Sequence, residues 1–213
     1  MPKKINRRLR IPRFNHEEHL HELGFGIVCG IDEVGRGAWA GPLVAAAVIL
    51  NKKLYGLRDS KMLSASQREK LAKKIQRTSK WGIGEVSAKE LNKLKLTKGT
   101  QLAFRRAIKA LGVKPDFILF DGLPGLYLER ATASRTGCRA LKKGDMICSS
   151  IAAASIIAKV YRDELMRQLD KEIKGYNFSS HKGYGTKEHQ ARLKKLGPSK
   201  VHRMFYKSLR ANK

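Results

Sequence analysis

Apolar residues in the first half of the chain form short runs that are typical of strands. Two such runs, 25–32 and 42–50, are joined by a glycine-rich connection, and 81–87 alternates more loosely. The three runs predict an antiparallel meander. Residues 64–80, which lie between the second and third runs, carry apolar residues at helical spacing and predict a helix.

The second half of the chain alternates between helix and strand. A helix is predicted over 97–111, a buried strand over 116–122 and a short strand over 138–141. A long helix rich in Ala and Ile is predicted over 147–173, and a last helix over 187–196. We therefore expect an α/β fold with a mixed five-stranded sheet flanked by helices and a small helical C-terminal portion.

A short amphipathic helix is predicted over residues 15–23, before the first strand. Leu20 and Leu23 are expected to face the core, whereas the glutamates are expected to face water; these are Glu17, Glu18 and Glu22. Three histidines in this segment lack the spaced acidic or cysteine ligands of a metal site, so we interpret them as exposed; these are His16, His19 and His21.

The chain is strongly basic. It contains 45 Lys plus Arg and 18 Asp plus Glu, which gives a formal net charge of +27, and 42% of its residues are hydrophobic. This excess favours a polyanionic partner, most often nucleic acid, although membrane surfaces and ribosomes attract the same charge. Residues 1–13 carry no acid, and we expect them to form a solvated arm that binds phosphate.

The longest apolar run, 43–50, is far shorter than the roughly 18–20 residues that span a bilayer. The basic N-terminus lacks the apolar stretch of a secretory signal. Three widely spaced cysteines fit a reducing compartment; these are Cys29, Cys138 and Cys148. We expect a cytoplasmic location without membrane contact.

Four carboxylates occupy positions at which an α/β sheet gathers its functional groups. Asp32 and Glu33 end the first run, Asp121 ends the buried strand, and Asp145 precedes the long helix. Strand ends and adjoining helix starts converge on one crevice, so these acids can form a cluster. Oxygen ligands select Mg²⁺ or Mn²⁺, and two such ions about 3.5–4 Å apart support displacement at a phosphodiester.

Each acid also has a structural interpretation. Asp145 could cap the long helix, Asp121 could stabilise a turn, and Asp32 could pair with a lysine. Consecutive strand residues point to opposite faces, so a shared site for Asp32 and Glu33 requires a bend near Glu33. The combination of four such acids with a strongly basic chain favours the metal site.

Seven motifs follow one another along the chain: GIDEVGRG at 30–37, AGP at 40–42, DSKMLS at 59–64, FDG at 120–122, KGD at 143–145, IAAASIIAKV at 151–160 and HKGYGT at 181–186. This ordered set spans roughly residues 26–206 and resembles ribonuclease HII, the type 2 ribonuclease H that cleaves RNA in RNA–DNA hybrids. The resemblance implies a ribonuclease H-like sheet with helices on both sides.

The resemblance also implies a chemistry for the carboxylates. Asp32, Glu33, Asp121 and Asp145 match the catalytic metal-binding residues of the family. The expected enzyme is an endonuclease that depends on Mg²⁺ or Mn²⁺ and leaves a 3′-hydroxyl and a 5′-phosphate. Its expected substrates are RNA–DNA hybrids and DNA duplexes that contain ribonucleotides. We expect a monomer and predict no protein partner.

Substrate-binding residues follow from the same resemblance. Gly35, Arg36 and Gly37 match the element that contacts the ribonucleotide 2′-hydroxyl and the adjacent phosphate. Tyr184 matches the tyrosine that stacks at the RNA–DNA junction, and Lys61 is the candidate for a phosphate contact. The 2′-hydroxyl separates RNA from DNA, and an aromatic ring stacks on any base. The structural alternative for Tyr184 is a half-buried core residue.

The chain departs from the family pattern at two positions. Gly185 stands where the family usually has proline, which suggests a looser loop, and Met62 stands where it usually has a second lysine. The sister family, ribonuclease HIII, usually carries Gly-Thr-Gly and an additional N-terminal domain. Gly-Arg-Gly and the roughly 25 residues before the first strand both favour type 2.

We expect three regions: a basic arm with a short helix over 1–24, a ribonuclease H-like catalytic domain over 25–174, and a basic helical portion over 175–213 that contacts substrate. Two alternatives remain open at this point. One is a noncatalytic nucleic-acid-binding protein with structural carboxylates, and the other is a DNA-directed nuclease or integrase of the same fold.

Overall fold

The computed structural model describes residues 11–122 and 136–210, so most of the predicted basic arm lies outside the described residues. Within them, five strands form one sheet in the order β3-β2-β1-β4-β5. The strands are β1 (Val28–Val34), β2 (Leu43–Ile49), β3 (Lys80–Val86), β4 (Phe117–Asp121) and β5 (Gly137–Leu141). The pairs β1–β2 and β2–β3 are antiparallel, and β4 pairs in parallel with both β1 and β5. The predicted mixed five-stranded sheet is confirmed.

Helices cover both faces of the sheet. They are α1 (Asn15–Glu22), α2 (Ala65–Thr78), α3 (Ala88–Ala110), α4 (Ser149–Glu172), α5 (Phe178–His181), α6 (Lys187–Leu196) and α7 (Lys207–Arg210). Ala45 and Ala47 of β2 pack in the same core as Phe104 of α3, while Ala46 packs with Ala153 of α4. Burial on both faces explains why β2 is apolar throughout. None of the helices in the described ranges combines the length and apolarity needed to cross a membrane.

Helix α3 is longer than the helix predicted over 97–111. It begins at Ala88, where the Ser87 hydroxyl accepts from the Glu90 amide and the Glu90 carboxylate accepts from the Ser87 amide. This reciprocal pair is a capping box, whose Ser-x-x-Glu signature is visible in the sequence. The backbone leaves helical geometry at Lys95, with φ 63°, which divides the helix and masks its periodicity.

The orientation predicted for α1 is wrong at two positions. Leu23 is 61% exposed, whereas Glu17 is fully buried. The Glu17 carboxylate accepts from the Ser150 amide at 2.6 Å and from the Cys148 thiol at 3.1 Å. Helix α4 has no side-chain cap of its own at Cys148, so Glu17 satisfies an amide in its first turn from another element.

The C-terminal portion packs on the connection between β1 and β2. Ala40 belongs to the same apolar cluster as Tyr176, Phe178 and Leu193. At Gly185 this packing is so close that a Cβ would lie 2.4 Å from Trp39 Cε2. The indole therefore fills the space that a side chain at position 185 would need, which gives a physical reason for glycine there.

Replacing Glu17 with Ala should lower the free energy of unfolding by about 1–3 kcal/mol, because the Ser150 amide loses its acceptor in the interior. Glu18→Ala on the exposed side of α1 is the matched control and should change stability by less than about 0.5 kcal/mol. Denaturant unfolding of both variants measures the difference. Equal effects would contradict the capping role.

Replacing Gly185 with Ala should destabilise the fold by about 1–3 kcal/mol, because the new Cβ overlaps the Trp39 indole. Gly26→Ala is the control, since a Cβ there has only an ordinary 3.6 Å contact. The double variant Gly185→Ala/Trp39→Leu should lose less stability than the sum of its single changes. Additive losses in thermal unfolding would show that the two residues do not compete for space.

Candidate active site

A cavity of about 510 Å³ opens at the C-terminal ends of the inner strands β1 and β4. The last parallel pair joins Ile31 to Phe120, so the next residues, Asp32 and Asp121, are neighbours on adjacent strands. The cavity is lined by Asp32, Glu33, Val34, Ser60, Lys61, Asp121, Ser155, Lys159 and Tyr184. Three of the four predicted acids, Asp32, Glu33 and Asp121, therefore meet in one cavity.

Asp145 lies in a 3₁₀ turn, Gly144–Met146, between β5 and α4. The Gly144 amide donates to Asp121 Oδ1 at 2.8 Å, which ties this turn to the end of β4. Asp145 is buried, and its Oδ2 lies 3.6 Å from Lys61 Nζ. It does not cap α4, whose N-cap is Cys148. The structure thus joins Asp145 to the other three acids, and we call Asp32, Glu33, Asp121 and Asp145 the carboxylate cluster.

The bend expected near Glu33 is absent. Strand β1 keeps its pairing with β2 through Val34, and the chain turns at Gly35, where φ is 91°. Asp32 and Glu33 nevertheless both line the cavity. Since the cavity lies at the end of β1, side chains from the two faces of this strand can reach it without a break in the strand.

Burial and mutual repulsion change the acidity of the cluster. Burial, followed by the charges of Glu33 and Asp121, raises the pKa of Asp32 well above its usual value. Burial raises the pKa of Glu33 to about 7, although Arg36 Nη1 lies 3.3 Å from its Oε1 and opposes the change. The pKa of Asp145 is raised by burial and by Asp121. These acids resist carrying their charges together without a cation.

Lys61 is the residue that supplies positive charge to the cluster from the other side of the cavity. Burial acts to lower its pKa, but the carboxylates of Asp59 and Asp145, followed by two others, outweigh that effect and raise it. Asp59 also accepts from the Lys61 amide at 2.9 Å, and Ser60 Oγ lies 2.9 Å from Ser155 Oγ on α4. These bonds hold Lys61 beside the cluster, while Met62 is 45% exposed.

The glycine–arginine–glycine segment, residues 35–37, forms a turn directly after β1, and we call it the GRG loop. Gly35 is buried, the Arg36 side chain is 41% exposed, and Gly37 is exposed. A Cβ at Gly35 would lie 2.3 Å from Arg162 Nε, so glycine meets both the positive φ and the close approach. The loop thus begins against α4 and ends at the surface beside the cluster.

Two buried arginines hold the segment that contains the GRG loop. Arg162 of α4 donates to the Pro42, Lys182 and Ala40 carbonyls at 2.9–3.2 Å. Fully buried cations need such partners, and carbonyl oxygens supply them here. Arg162 therefore connects α4 to both the β1–β2 connection and the loop before Tyr184.

Arg203 has the corresponding role from the C-terminal portion. It donates to the carbonyls of Gly41 at 2.9 Å, Gly35 at 2.5 Å and Arg36 at 3.2 Å. The sequence prediction did not identify Arg203, because nothing in its surroundings separates it from the many surface cations of the chain. Its complete burial is visible only in the structure.

Tyr184 is half-buried and lines the cavity, and its ring lies 5.5 Å from the Arg162 guanidinium. The residue also forms an antiparallel bridge with Ala38, immediately after the GRG loop.

Lys159 lines the cavity and was not identified as a site residue from the sequence; its Nζ lies 2.6 Å from Asp163 Oδ1. Lys159 and Ser155 are four residues apart on α4, a spacing that puts both on the cavity side.

The carboxylate cluster has the chemistry of a site for a hard divalent cation. Its four side chains offer oxygen ligands only, and the raised pKa values of Asp32, Glu33 and Asp145 show a need for positive charge. No three Asp, Glu, His or Cys side chains in the described part of the chain are already arranged as a finished metal site. Cation binding would offset the repulsion among these acids, so the four side chains fit a divalent cation.

A second cavity, of about 600 Å³, lies between residues 11–15, 53–57 and 146–149. Arg13, Lys53 and the exposed Tyr55 line it, and its lining contains no carboxylate. This second cavity therefore lacks the acidic lining found in the cavity beside the GRG loop.

Known proteins resemble this chain over most of its length. Residues 29–209 match the family model described as Ribonuclease HII. The chain is 46% identical to a ribonuclease HII from Cutibacterium acnes over 202 residues, which cover 92% of this chain and 95% of that protein.

Solved structures show the same fold. Ribonuclease H2 from Pyrococcus horikoshii OT3 has a TM-score of 0.72 at 26% identity, covering 87% of this chain and 96% of that one. The ribonuclease HII in a PCNA:RNase HII complex from Archaeoglobus fulgidus has a TM-score of 0.72 at 27% identity, with the same coverage. The chain therefore belongs to the ribonuclease HII family, whose members are metal-dependent endoribonucleases that cleave the RNA strand of RNA–DNA hybrids.

Proposed function

We propose that the carboxylate cluster binds two Mg²⁺ or Mn²⁺ ions and that the GRG loop recognises the ribose of the nucleotide at the cleavage site. The enzyme then cleaves at single ribonucleotides embedded in duplex DNA as well as in hybrids, and it leaves a 3′-hydroxyl and a 5′-phosphate. The observation that carries this proposal is that the GRG loop directly follows the strand that bears Asp32 and Glu33 of the carboxylate cluster. Arg36 contacts Glu33 at 3.3 Å, so the recognition loop begins at the acidic site itself.

When bound, the metal ions would supply Lewis-acid chemistry to the phosphodiester and the attacking water. The residues of the chain provide binding and orientation. The exposed Gly37 and the half-exposed Arg36 can meet the 2′-hydroxyl and its phosphate, and Lys61 can meet a further phosphate across the cavity. Tyr184 offers an aromatic face at the same cavity, on which a nucleotide next to the cleavage site can stack.

The wider setting of the enzyme is also a proposal. The net charge of +27 supports binding of nucleic acid by a single chain, and we propose a monomer. A ribonuclease HII with 27% identity forms a complex with PCNA, so a protein like PCNA is the specific alternative to our expectation of no protein partner. The cytoplasmic location inferred from the cysteines stays a prediction.

A cleavage assay on three labelled duplexes tests the proposed substrate range: all DNA, RNA–DNA hybrid, and DNA with one ribonucleotide. We expect cleavage of the last two with Mg²⁺ or Mn²⁺ and none with EDTA. End analysis should show the 3′-hydroxyl and 5′-phosphate. Comparable cleavage of the all-DNA duplex would indicate a DNA-directed nuclease, and an intact single-ribonucleotide duplex would restrict the enzyme to longer hybrids.

Replacing Asp121 with Asn should reduce hybrid cleavage at least about a hundredfold, because metal catalysis contributes several kcal/mol and about 1.4 kcal/mol is tenfold in rate. The Asn oxygen can still accept from the Gly144 amide, so the fold and hybrid binding should persist. Asp116→Asn, at the exposed start of the same strand region, is the control. Wild-type turnover in Asp121→Asn would refute the metal-binding assignment.

The raised pKa of Glu33 predicts a pH dependence of stability in EDTA. The pKa of Glu33 is about 7 in the folded protein and 4.5 ordinarily, so protonated Glu33 stabilises the folded state. Its contribution to the free energy of unfolding is complete below pH 4.5 and is lost as pH rises to about 7. Thermal unfolding should therefore show a fall in stability over this range that Glu33→Gln reduces. A variant that loses as much stability as the wild type would contradict the raised pKa.

A further inference from the structure

Three histidines form a buried cluster in the C-terminal portion, outside the cavity. His181, His189 and His202 are each at most 7% exposed. The rings of His181 and His189 stack with centroids 4.3 Å apart, and Phe178 packs against all three rings. The metal site and the proposed substrate contacts use none of these side chains, so their conformation needs a separate explanation.

The hydrogen bonds of His202 fix its tautomer. The Ser199 amide, which can only donate, lies 2.8 Å from His202 Nδ1, so this nitrogen must be an acceptor. A neutral His202 then carries its proton on Nε2. That nitrogen lies 3.0 Å from His189 Nε2, to which it donates.

The tautomer of His189 follows from the same reasoning. Since its Nε2 accepts from His202, its proton is on Nδ1, which lies 3.0 Å from the carbonyl oxygen of Tyr184. A carbonyl oxygen only accepts, and that of Tyr184 has a second lone pair for the Thr186 amide at 2.8 Å. The bonds therefore run in one direction, from the Ser199 amide through His202 and His189 to Tyr184, and we call them the histidine chain.

This direction requires both histidines to be neutral. Burial and a neighbouring imidazole lower the pKa of His189 and of His202 to about 4. At neutral pH neither ring is charged, and the two facing Nε2 atoms carry one proton between them. A metal ion between those atoms is not favoured, because His202 Nδ1 accepts from an amide, which leaves the proton on Nε2, and the two Nε2 atoms are at hydrogen-bonding distance.

The histidine chain is linked to both proposed substrate-binding elements, to Tyr184 directly and to the GRG loop through Arg203. At one end is Tyr184, and the preceding Gly183 carbonyl accepts from the amides of Trp39 and Ala40, just after the GRG loop. At the other end, the residue after His202 is Arg203, whose guanidinium donates to carbonyls of the GRG loop. The histidine chain thus joins the segment that contains Tyr184 to the segment whose Arg203 holds the GRG loop.

We propose that His189 and His202 are positioning residues whose neutral, one-directional hydrogen-bond chain fixes Tyr184 relative to the GRG loop. The inference rests on the proposed function, in which Tyr184 stacks at a ribonucleotide junction. A single ribonucleotide in DNA offers one position where loop and ring can both engage, whereas a long hybrid offers many. Loss of the chain should therefore weaken binding of the single-ribonucleotide duplex more than binding of the hybrid.

The experiment compares His189→Leu with His189→Asn, since the two side chains are similar in size and lose similar ring packing. The Asn amide can replace Nδ1–H as donor to Tyr184, and Leu cannot. His189→Leu should raise KM for the single-ribonucleotide duplex about tenfold, a factor within the range of one base–aromatic stack, with little change in kcat. His189→Asn should recover most of that loss, and KM for a long hybrid should change less in both variants.

Two results would overturn the proposal: equal KM values for the folded Leu and Asn variants, or a proportional fall in kcat on every substrate. If His189→Leu does not fold, nitrogen-15 NMR of the wild-type histidines still tests the chain. It should show the Nε2–H tautomer at His202 and the Nδ1–H tautomer at His189 at neutral pH, and any other assignment refutes the proposal. The tautomers do not depend on cleavage, so failure of the proposed function remains distinguishable.

Discussion

Repulsion within the carboxylate cluster is the constraint on which the site depends. Asp32, Glu33 and Asp145 all have raised pKa values, because burial removes water from them and neighbouring acids add negative charge. Arg36 Nη1 lies 3.3 Å from Glu33 and Lys61 Nζ lies 3.6 Å from Asp145, yet the pKa values of both acids stay raised. A site of this kind is stabilised by divalent cations, and the same cations serve phosphodiester cleavage.

The fold keeps these acids together by independent means. Parallel pairing of β1 with β4 sets Asp32 beside Asp121, and the Gly144 amide ties the turn of Asp145 to the same strand end. Glu17 of α1 accepts a hydrogen bond from the Ser150 amide in the first turn of α4. Arg162 and Arg203 then bind the carbonyls in and next to the GRG loop, so that the proposed ribose-binding loop and the carboxylates share one framework.

The sequence predicts those parts of the site that follow from strand periodicity. A buried run ending in Asp121 and another ending near Asp32 imply neighbouring strand ends, and the five-stranded sheet follows from the same runs. The roles of Glu17, Arg203 and His189 could not be predicted, because a charged or polar residue is recognised as internal only when its distant partners are known. The prediction of a bend at Glu33 was wrong, because side chains on both faces of β1 reach one cavity at the end of the strand.

Divalent cations should displace protons from the carboxylate cluster when they bind. Calorimetric titration of the protein with Mn²⁺ at about pH 6.5, in two buffers of different protonation enthalpy, measures the protons released on binding. Because the pKa of Glu33 is about 7 without metal, binding should release protons at this pH and progressively fewer as the pH is raised. Mn²⁺ binding without proton release at about pH 6.5 would contradict the account.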